Sequence, residues 1–134
     1  MPPLAAAAEA FGWRGVMLDV ARTFYSVPEI KAVADLLAWH KLNVFHLHLN
    51  DDEGWRIEVA GYPQVAQQCA RRGHGLTVPP LLGSSFEPYG GVFSRGDIAE
   101  VERHAAALSI SLVPEIDVPG HAHALIKAIP ELRD

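Results

Sequence analysis

The sequence predicts an α/β fold whose sheet contains about three parallel strands. Three short apolar segments each end in acidic residues, Arg14–Asp19, Asn43–Asp51 and Ile110–Asp117. This pattern is typical of buried strands whose carboxyl ends reach a polar edge. Helical patterns separate the segments, and strands that alternate with helices pair in parallel through right-handed crossovers. The three segments are therefore expected to form one parallel sheet.

Amphipathic helices are predicted between and after these segments. Two capping-box patterns, Ser26 with Glu29 and Ser94 with Asp97, each precede apolar residues at helical spacing. The apolar positions are Ile30, Val33, Ala34, Leu37 and Ala38 in the first helix and Ile98, Val101, Ala105 and Leu108 in the second. A further helix is predicted to start near His121.

Length and composition exclude several classes of protein. The chain has 134 residues, 49% of them hydrophobic, which is enough for one core and too few for two independent domains. The net charge of −5 without a basic run disfavours nucleic acid and anionic membrane surfaces as partners. A single cysteine, Cys69, excludes an intrachain disulfide and a cysteine-based zinc site. No apolar run approaches about 18 residues, so no membrane span is predicted.

Two segments have no clear strand or helix pattern. Residues 1–12 lack the basic start of a signal peptide and are predicted to be a linker or a truncated edge. The compartment stays open between the cytoplasm and, with a signal upstream, the periplasm or the exterior. Gly61–Gly91 is rich in Gly and Pro and predicts a long loop of the kind that forms a functional face or is partly disordered.

Polar side chains collect where the three predicted strands end. In parallel α/β folds the carboxyl ends of the strands and the loops after them form the active face. The candidates are Asp19, Arg22, His46, His48, Asp51, Asp52, Glu115, Asp117, His121 and His123. Three segments of the chain are therefore expected to converge on one site.

Two histidines on the second strand allow a metal-site interpretation. His46 and His48 are two residues apart and share a strand face. Asp117 and His121 could complete a shell of nitrogen and oxygen ligands. An apolar strand with two histidines is more often a packed interior whose imidazoles are hydrogen-bonded to protein groups. No metal is therefore predicted.

Two other patterns each have a functional and a structural interpretation. Asp51 could hold the imidazole of His121 in one tautomer and leave the other ring nitrogen for a catalytic acid, but Asp-Asp and Pro-Gly are also ordinary turn sequences. The Arg22 guanidinium could bind vicinal hydroxyls or carboxylates, or form a salt bridge to Asp19 or Glu29. The pattern alone leaves both alternatives open.

Three longer strings carry a family resemblance. They are WRGVMLDVAR at 13–22, HKLNVFHLHLNDDEGWRIEV at 40–59 and VPEIDVPGHAHAL at 113–125. In this order and spacing they resemble the first three strand-end motifs of the glycoside hydrolase family 20 catalytic domain, the β-N-acetylhexosaminidases. The string GGVFSRGDIAEVERHAAALSI resembles the family's second barrel helix, with Phe93 where a tyrosine is usual. The resemblance covers about Phe11 to Leu132.

The resemblance implies a fold and an activity. The family's domain is a (β/α)8 barrel, so residues 13–134 are expected to be its N-terminal part, with the first three of eight strands. The implied reaction removes terminal N-acetylglucosamine or N-acetylgalactosamine from oligosaccharides or glycoconjugates. The sugar's 2-acetamido carbonyl attacks the anomeric carbon, and a glutamic acid protonates the leaving oxygen with net retention. The reaction needs no cofactor.

The resemblance also implies roles for individual residues. Arg22 matches the arginine that binds hydroxyls of the non-reducing sugar. Asp51 and His121 match a hydrogen-bonded chain that ends on the catalytic acid. Asp117 and Glu115 match positions that line or support the same pocket.

The family's catalytic Asp-Glu pair, at the end of the fourth strand, has no counterpart among these 134 residues, because Asp52 and Glu53 belong to the second motif. Loss of a general acid alone typically lowers the rate about 10²- to 10⁴-fold, so the chain by itself is expected to be inactive. Alternative predictions are a non-catalytic carbohydrate-binding or assembly module and a metal-dependent barrel hydrolase. Three strands leave two sheet edges and an inner layer of Val, Leu and Ile uncovered, so self-association or a complementary C-terminal fragment is also expected.

Overall fold

A three-stranded parallel sheet is the centre of the computed structural model, which describes residues 9–81 and 86–133. The strands are β1 (Gly15–Asp19), β2 (Val44–His48), β3 (Asn50–Asp51), β4 (Gly54–Trp55), β5 (Arg71–Arg72), β6 (Tyr89–Gly90) and β7 (Ser111–Glu115). The helices are α1 (Val27–Trp39), α2 (Pro63–Cys69), α3 (Arg95–Ala107) and α4 (His123–Ala128), followed by a 3-10 turn at Pro130–Leu132. The sheet has the order β1-β2-β7 with parallel pairs, which confirms the predicted α/β class.

Both predicted capping boxes form and set the starts of α1 and α3. The Ser26 amide donates to the Glu29 carboxylate at 2.7 Å, and the Ser94 amide donates to the Asp97 carboxylate at 2.8 Å. The two helices pack on one face of the sheet. The core there consists of Val20, Ile30, Ala34, Leu37, Phe45, Leu47, Leu49, Phe93, Val101, Ala105 and Ile110. A smaller core joins β4, α2 and α4 through Trp55, Val65, Cys69, Val78, Ala124 and Ala128.

The strand register separates a helix-side face from an inner face. Leu18 pairs with Leu47, and both pack against the helices. Side chains alternate along a strand, so the row Met17, His46 and Val113 lies on the opposite, inner face. The prediction that the inner face carries a layer of Val, Leu and Ile is therefore wrong, because Leu18 and Leu47 face the helices and Met17 and His46 lie on the inner face. Met17 is 51% exposed on that inner face.

The predicted strand Asn43–Asp51 is not continuous. β2 ends at His48, and Asn50–Asp51 turns back to pair antiparallel with Gly54–Trp55. The chain leaves the sheet at Leu49, whose amide donates to the Glu115 carbonyl while its own carbonyl accepts from the Arg56 amide. The break in the strand was not predicted because the hydrogen bond from the Arg56 amide to the Leu49 carbonyl involves a residue outside the predicted strand segment.

The predicted loop Gly61–Gly91 contains α2, β5 and β6; its residues 82–85 lie outside the described residues. Only two positions of α2 are buried, Val65 and Cys69, which is too short a pattern to reveal a helical period. Helix α4 begins at His123, close to the predicted start near His121; His121 itself has a φ of 53° and lies outside the right-handed helix. No helix in the described part of the chain is long and apolar enough to cross a membrane.

Residues 9–12 lie beside the start of β1. The Arg14 guanidinium is 2.8 Å from the Glu9 carboxylate, and the Asn43 amide group donates to the Gly12 carbonyl at 2.7 Å. Residues 1–8 lie outside the described residues. The division into an edge at 1–12 and a barrel part at 13–134 therefore stays a prediction.

Candidate active site

One buried carboxylate, that of Asp51, is the centre of the polar cluster at the carboxyl ends of the strands. Its side chain is 2% exposed. Oδ2 lies 2.8 Å from Nε2 of His48 and 2.5 Å from Nη2 of Arg22. Oδ1 lies 3.0 Å from Nδ1 of His121 and accepts from the Asp52 amide at 2.7 Å. Four donors from three parts of the chain therefore converge on one carboxylate.

These contacts fix the charge of Asp51. Burial by itself raises the pKa of this carboxyl, but the Asp52 amide, His48, Arg22 and His121 outweigh burial and bring the pKa below its ordinary value. The carboxylate is therefore ionised at neutral pH. An ionised carboxylate only accepts hydrogen bonds, so the imidazole nitrogens that face it carry hydrogens.

The imidazole of His48 lies between two carboxylates. Its Nε2 faces Asp51, and its Nδ1 is 3.0 Å from Oε1 of Glu115. Burial by itself lowers the pKa of His48, but the hydrogen bonds to Asp51 and Glu115 outweigh burial and raise the pKa above its ordinary value. With both nitrogens facing acceptors, the protonated form is favoured.

The guanidinium of Arg22 is surrounded by acidic groups. Nη1 donates to Oδ2 of Asp19 at 2.8 Å, Nη2 faces Asp51, and Nε is 3.6 Å from Oε2 of Glu53. The hydrogen bond to Asp19 is the main cause of a raised Arg22 pKa. The expected salt bridge to Asp19 is present, whereas Glu29 bonds to its own helix cap. The Arg22 side chain stays 35% exposed and open to a ligand.

Glu53 was not predicted as a site residue. Its Oε2 is buried and makes no hydrogen bond within the described residues, and burial raises the pKa of the carboxyl. In the sequence it appears only as the third acidic residue of a turn. Its proximity to Arg22 depends on the β3–β4 hairpin, which the sequence pattern did not reveal.

Asn50 is a second residue that sequence reasoning missed. Its Nδ2 donates to the carbonyls of Asp117 and His121, each at 3.0 Å, and its Oδ1 accepts from the Asp117 amide at 2.8 Å. Asn50 therefore fixes the turn after β7 against β3. This brings His121 to Asp51, as predicted, with the imidazole 49% exposed. The only sequence signal was an amide side chain next to the Asp-Asp pair.

The residues of the metal-site alternative are not brought together as a set. Nε2 of His46 lies 2.5 Å from Oε2 of Glu115, and His121 faces a different carboxylate. Within residues 9–81 and 86–133, the group of three or more such residues whose ligand atoms all lie within 4.8 Å of one another is His48, Glu115 and Asp117. The alternative set of His46, His48, Asp117 and His121 is therefore not assembled as one group of ligands.

Comparison with protein families identifies the chain. A sequence model described as the glycosyl hydrolase family 20 catalytic domain matches residues 11–134. The chain belongs to glycoside hydrolase family 20. The match confirms the resemblance carried by the three strand-end motifs, and the parallel sheet with its helices is part of a family 20 (β/α)8 barrel.

Family 20 relatives are similar over nearly the whole chain. A β-hexosaminidase of Vibrio furnissii is 44% identical over 124 residues, which cover 92% of this chain and 20% of that protein. The crystal structure of an exo-β-N-acetylglucosaminidase from Vibrio harveyi in complex with N-acetylglucosamine is 46% identical, with a TM-score of 0.89 over 92% of this chain and 19% of that chain. A mutant Streptomyces plicatus β-hexosaminidase in complex with its product, N-acetylglucosamine, is 37% identical, with a TM-score of 0.77 over 92% of this chain and 23% of that one. The chain thus spans about a fifth of the length of these family 20 proteins.

Proposed function

We propose that this chain is the N-terminal part of a β-N-acetylhexosaminidase barrel that removes terminal N-acetylglucosamine or N-acetylgalactosamine from oligosaccharides or glycoconjugates. The observation that carries the proposal is the Asp51 carboxylate, which joins Arg22 and His121 at the carboxyl edge of the sheet. Identity of 44% to a β-hexosaminidase supports it. The same edge forms the active face in (β/α)8 barrels.

In this proposal Arg22 binds hydroxyls of the non-reducing sugar. Its planar fork of donors suits a vicinal pair of hydroxyls, and its side chain is 35% exposed. Asp19 and Asp51 hold the guanidinium before a sugar arrives. A side chain that is already ordered loses little conformational entropy on binding. Asp117, whose backbone Asn50 fixes, lines the same pocket.

Asp51 orients His121 for proton transfer. The ionised carboxylate accepts the Nδ1 hydrogen, which leaves Nε2 as the nitrogen available to the catalytic acid. Within the described residues Nε2 makes no hydrogen bond, and the ring is half-exposed. The relay therefore runs from Asp51 through His121 to the acid, with the imidazole held in one orientation by the carboxylate.

The acid itself and the carboxylate that orients the acetamido group are not among these 134 residues. We propose that a complementary segment supplies both, and that the 134-residue chain alone does not hydrolyse a glycoside. Without an acid and an orienting carboxylate, neither protonation of the leaving oxygen nor attack by the acetamido carbonyl is assisted.

A chimeric enzyme tests the proposal. Residues 11–134 replace the matching segment of the Vibrio furnissii β-hexosaminidase, and hydrolysis of a chromogenic β-N-acetylglucosaminide is measured. We expect the chimera to be active and the 134-residue chain alone to be inactive. An inactive but folded chimera contradicts the proposed function. Robust hydrolysis by the chain alone contradicts the proposed need for a complementary segment.

Substitutions in the chimera test the role of Arg22. Arg22→Ala removes charge-assisted hydrogen bonds to the sugar and is expected to lower kcat/KM about 10- to 100-fold. Arg103→Ala, at an exposed position on α3, is the matched control and is expected to leave kcat/KM unchanged. Equal effects of the two substitutions contradict the assignment.

A further inference from the structure

The turn that carries Arg22 is held by two other arginines. Residues 20–22 follow β1, and their three consecutive carbonyls each accept a hydrogen bond from a guanidinium. Nε of Arg56 donates to the Val20 carbonyl at 3.0 Å and Nη2 to the Ala21 carbonyl at 2.5 Å. Nη1 of Arg72 donates to the Arg22 carbonyl at 2.8 Å. Arg56 and Arg72 lie on segments far from this turn in sequence.

The amides of the same turn also have partners. Oδ1 of Asp19 accepts from the amides of Ala21 and Arg22, each at 3.0 Å, and the Val20 amide donates to the His48 carbonyl at 3.2 Å. Every backbone N–H and C=O of residues 20–22 is thus bonded to a side chain or to the neighbouring strand. The turn has no polar backbone group left to rearrange without losing a hydrogen bond.

Arg56 is a buried cation whose hydrogen-bond partners are backbone carbonyls. Its side chain is 0% exposed, and its Nη1 also donates to the carbonyls of Ala70 and Gly91. No ion pair within the described residues involves it. Burial lowers the pKa of Arg56 to about 10, so the group stays cationic at neutral pH. A buried cation is expensive unless its hydrogen bonds are satisfied, and here backbone carbonyls satisfy them.

The surroundings of Arg56 allow little movement. Gly90 has a φ of +132°, and a Cβ at this position would lie 2.7 Å from Nη1. A Cβ at Gly54 would lie 2.6 Å from Cζ. The ring of Phe24, just beyond the turn, has its centroid 5.8 Å from Cζ. The guanidinium is therefore closely packed between β4, the β5–β6 pair and the turn at residues 20–22.

We propose that Arg56 and Arg72 are positioning residues for Arg22: they hold the carbonyls of residues 20–22 and thereby aim the Arg22 guanidinium at the sugar hydroxyls. This inference rests on the proposed role of Arg22 in sugar binding. The two arginines touch no substrate. Their effect is to keep the binding arginine in one orientation before the sugar arrives, which lowers the entropy lost on binding.

Hydrogen–deuterium exchange of the Vibrio furnissii chimera tests the first step and needs no sugar. Arg72→Met is expected to raise the exchange rate of amides at residues 20–22 about tenfold, because a charge-assisted hydrogen bond to this turn is lost. Amides of α3 serve as the internal reference and are expected to keep their rates. Arg71→Met, at the exposed neighbouring position, is the matched control and is expected to change neither region.

Outcomes of the exchange experiment separate positioning from general stabilisation. A rate at residues 20–22 that stays at the wild-type value in Arg72→Met overturns the proposal. An equal rise in α3 also overturns it, since that result indicates a loss of global stability. Arg56→Lys keeps the charge but not the fork of donors, and it is expected to raise exchange in the same turn. If Arg56→Lys does not fold, Arg72→Met alone decides.

Steady-state kinetics in the Vibrio furnissii chimera test the second step. Arg72→Met is expected to raise KM for the chromogenic substrate about 5- to 20-fold with a smaller change in kcat, since ground-state sugar binding is weakened. Arg72→Lys is expected to restore part of the loss. Unchanged KM together with raised exchange in the turn overturns the link to the sugar. An inactive parent chimera contradicts the proposed function instead, and the exchange experiment still decides whether the arginines hold the turn.

Discussion

At the scale of single residues, hydrogen bonds outweigh burial in setting the pKa values of Asp51 and His48. Asp51 is nearly inaccessible, yet its pKa is lowered, and His48 is buried, yet its pKa is raised. Each group stabilises the charged form of the other across 2.8 Å. The pair therefore links the stability of the site to pH.

The pH range of this stabilisation follows from the directions of the two shifts. A lowered carboxyl pKa contributes stability that is present above the ordinary value of 3.8 and is lost as the pH falls through the folded-state value. A raised imidazole pKa contributes stability that is present below the ordinary value of 6.5 and is lost as the pH rises through the folded-state value. Both contributions are present between these two values.

Asp51→Asn is expected to lower the apparent Tm most within this pH range. Loss of charge-assisted hydrogen bonds to a buried group is worth about 1.5–3 kcal/mol, which corresponds to roughly 5–10 °C in a domain of this size. As the pH rises through the folded-state pKa of His48, the difference is expected to become smaller, because the imidazole loses its charge while Arg22 still pairs with Asp51. Differential scanning fluorimetry at fixed protein concentration measures the Tm difference between the wild type and Asp51→Asn at each pH.

Asp35→Asn is the control for Asp51→Asn, since Asp35 is an exposed carboxylate paired with His104 on the helix side. Exposed pairs contribute little to stability, so we expect a small shift in Tm at every pH. A Tm difference for Asp51→Asn that is the same from pH 5 to pH 9 contradicts the coupling to His48.

At the scale of elements, the sequence predicted what is determined locally. The helices α1 and α3 follow from capping boxes and a run of apolar positions within one segment. The β3–β4 hairpin and α2 were missed because their stability comes from contacts with distant segments. The contact between Asp51 and His121 was predictable because both residues follow the carboxyl ends of strands in one sheet. The hydrogen bonds of Asn50 to the turn after β7 were not predictable, because they join segments far apart in the sequence.

The hairpin gives a test at this scale. In Gly54→Ala the new Cβ would lie 2.6 Å from Cζ of Arg56, a guanidinium that is fully buried and hydrogen-bonded to backbone carbonyls. We expect a loss of about 1–3 kcal/mol, the usual range for overpacking, seen as a lower Tm. Gly12→Ala, where nothing lies within 4 Å of the new Cβ, is the matched control and is expected to leave the Tm unchanged. Equal Tm values for both variants contradict the close packing around Arg56.

At the scale of the whole molecule, the sheet of the described residues has two open edges and an exposed inner face. β1 and β7 each pair with β2 alone, and Met17 on the inner face is half-exposed. Open strand edges and uncovered apolar groups favour association. We propose that the 134-residue chain either associates with itself or is ordered beside a complementary segment.

Analytical ultracentrifugation tests this proposal. Met17→Lys places a charge on the inner face and is expected to shift the chain towards the monomer. Trp39→Lys is the matched control, because Trp39 is 80% exposed on α1 and lies away from that face, and it is expected to leave the distribution unchanged. A sharp monomer peak for the wild type, together with a cooperative thermal transition, contradicts the proposal.

The arginine-held turn also has a consequence for the order of folding. The hydrogen bonds that Arg56 makes to the turn join residues 36 and 35 positions apart, and the bond from Arg72 joins residues 50 apart. Contacts of such long range close large loops and form late on average. We expect Arg22 to reach its binding orientation after β1, α1 and β2 have assembled. The arginine proposed to bind the sugar is thus held in place by segments that are translated after it.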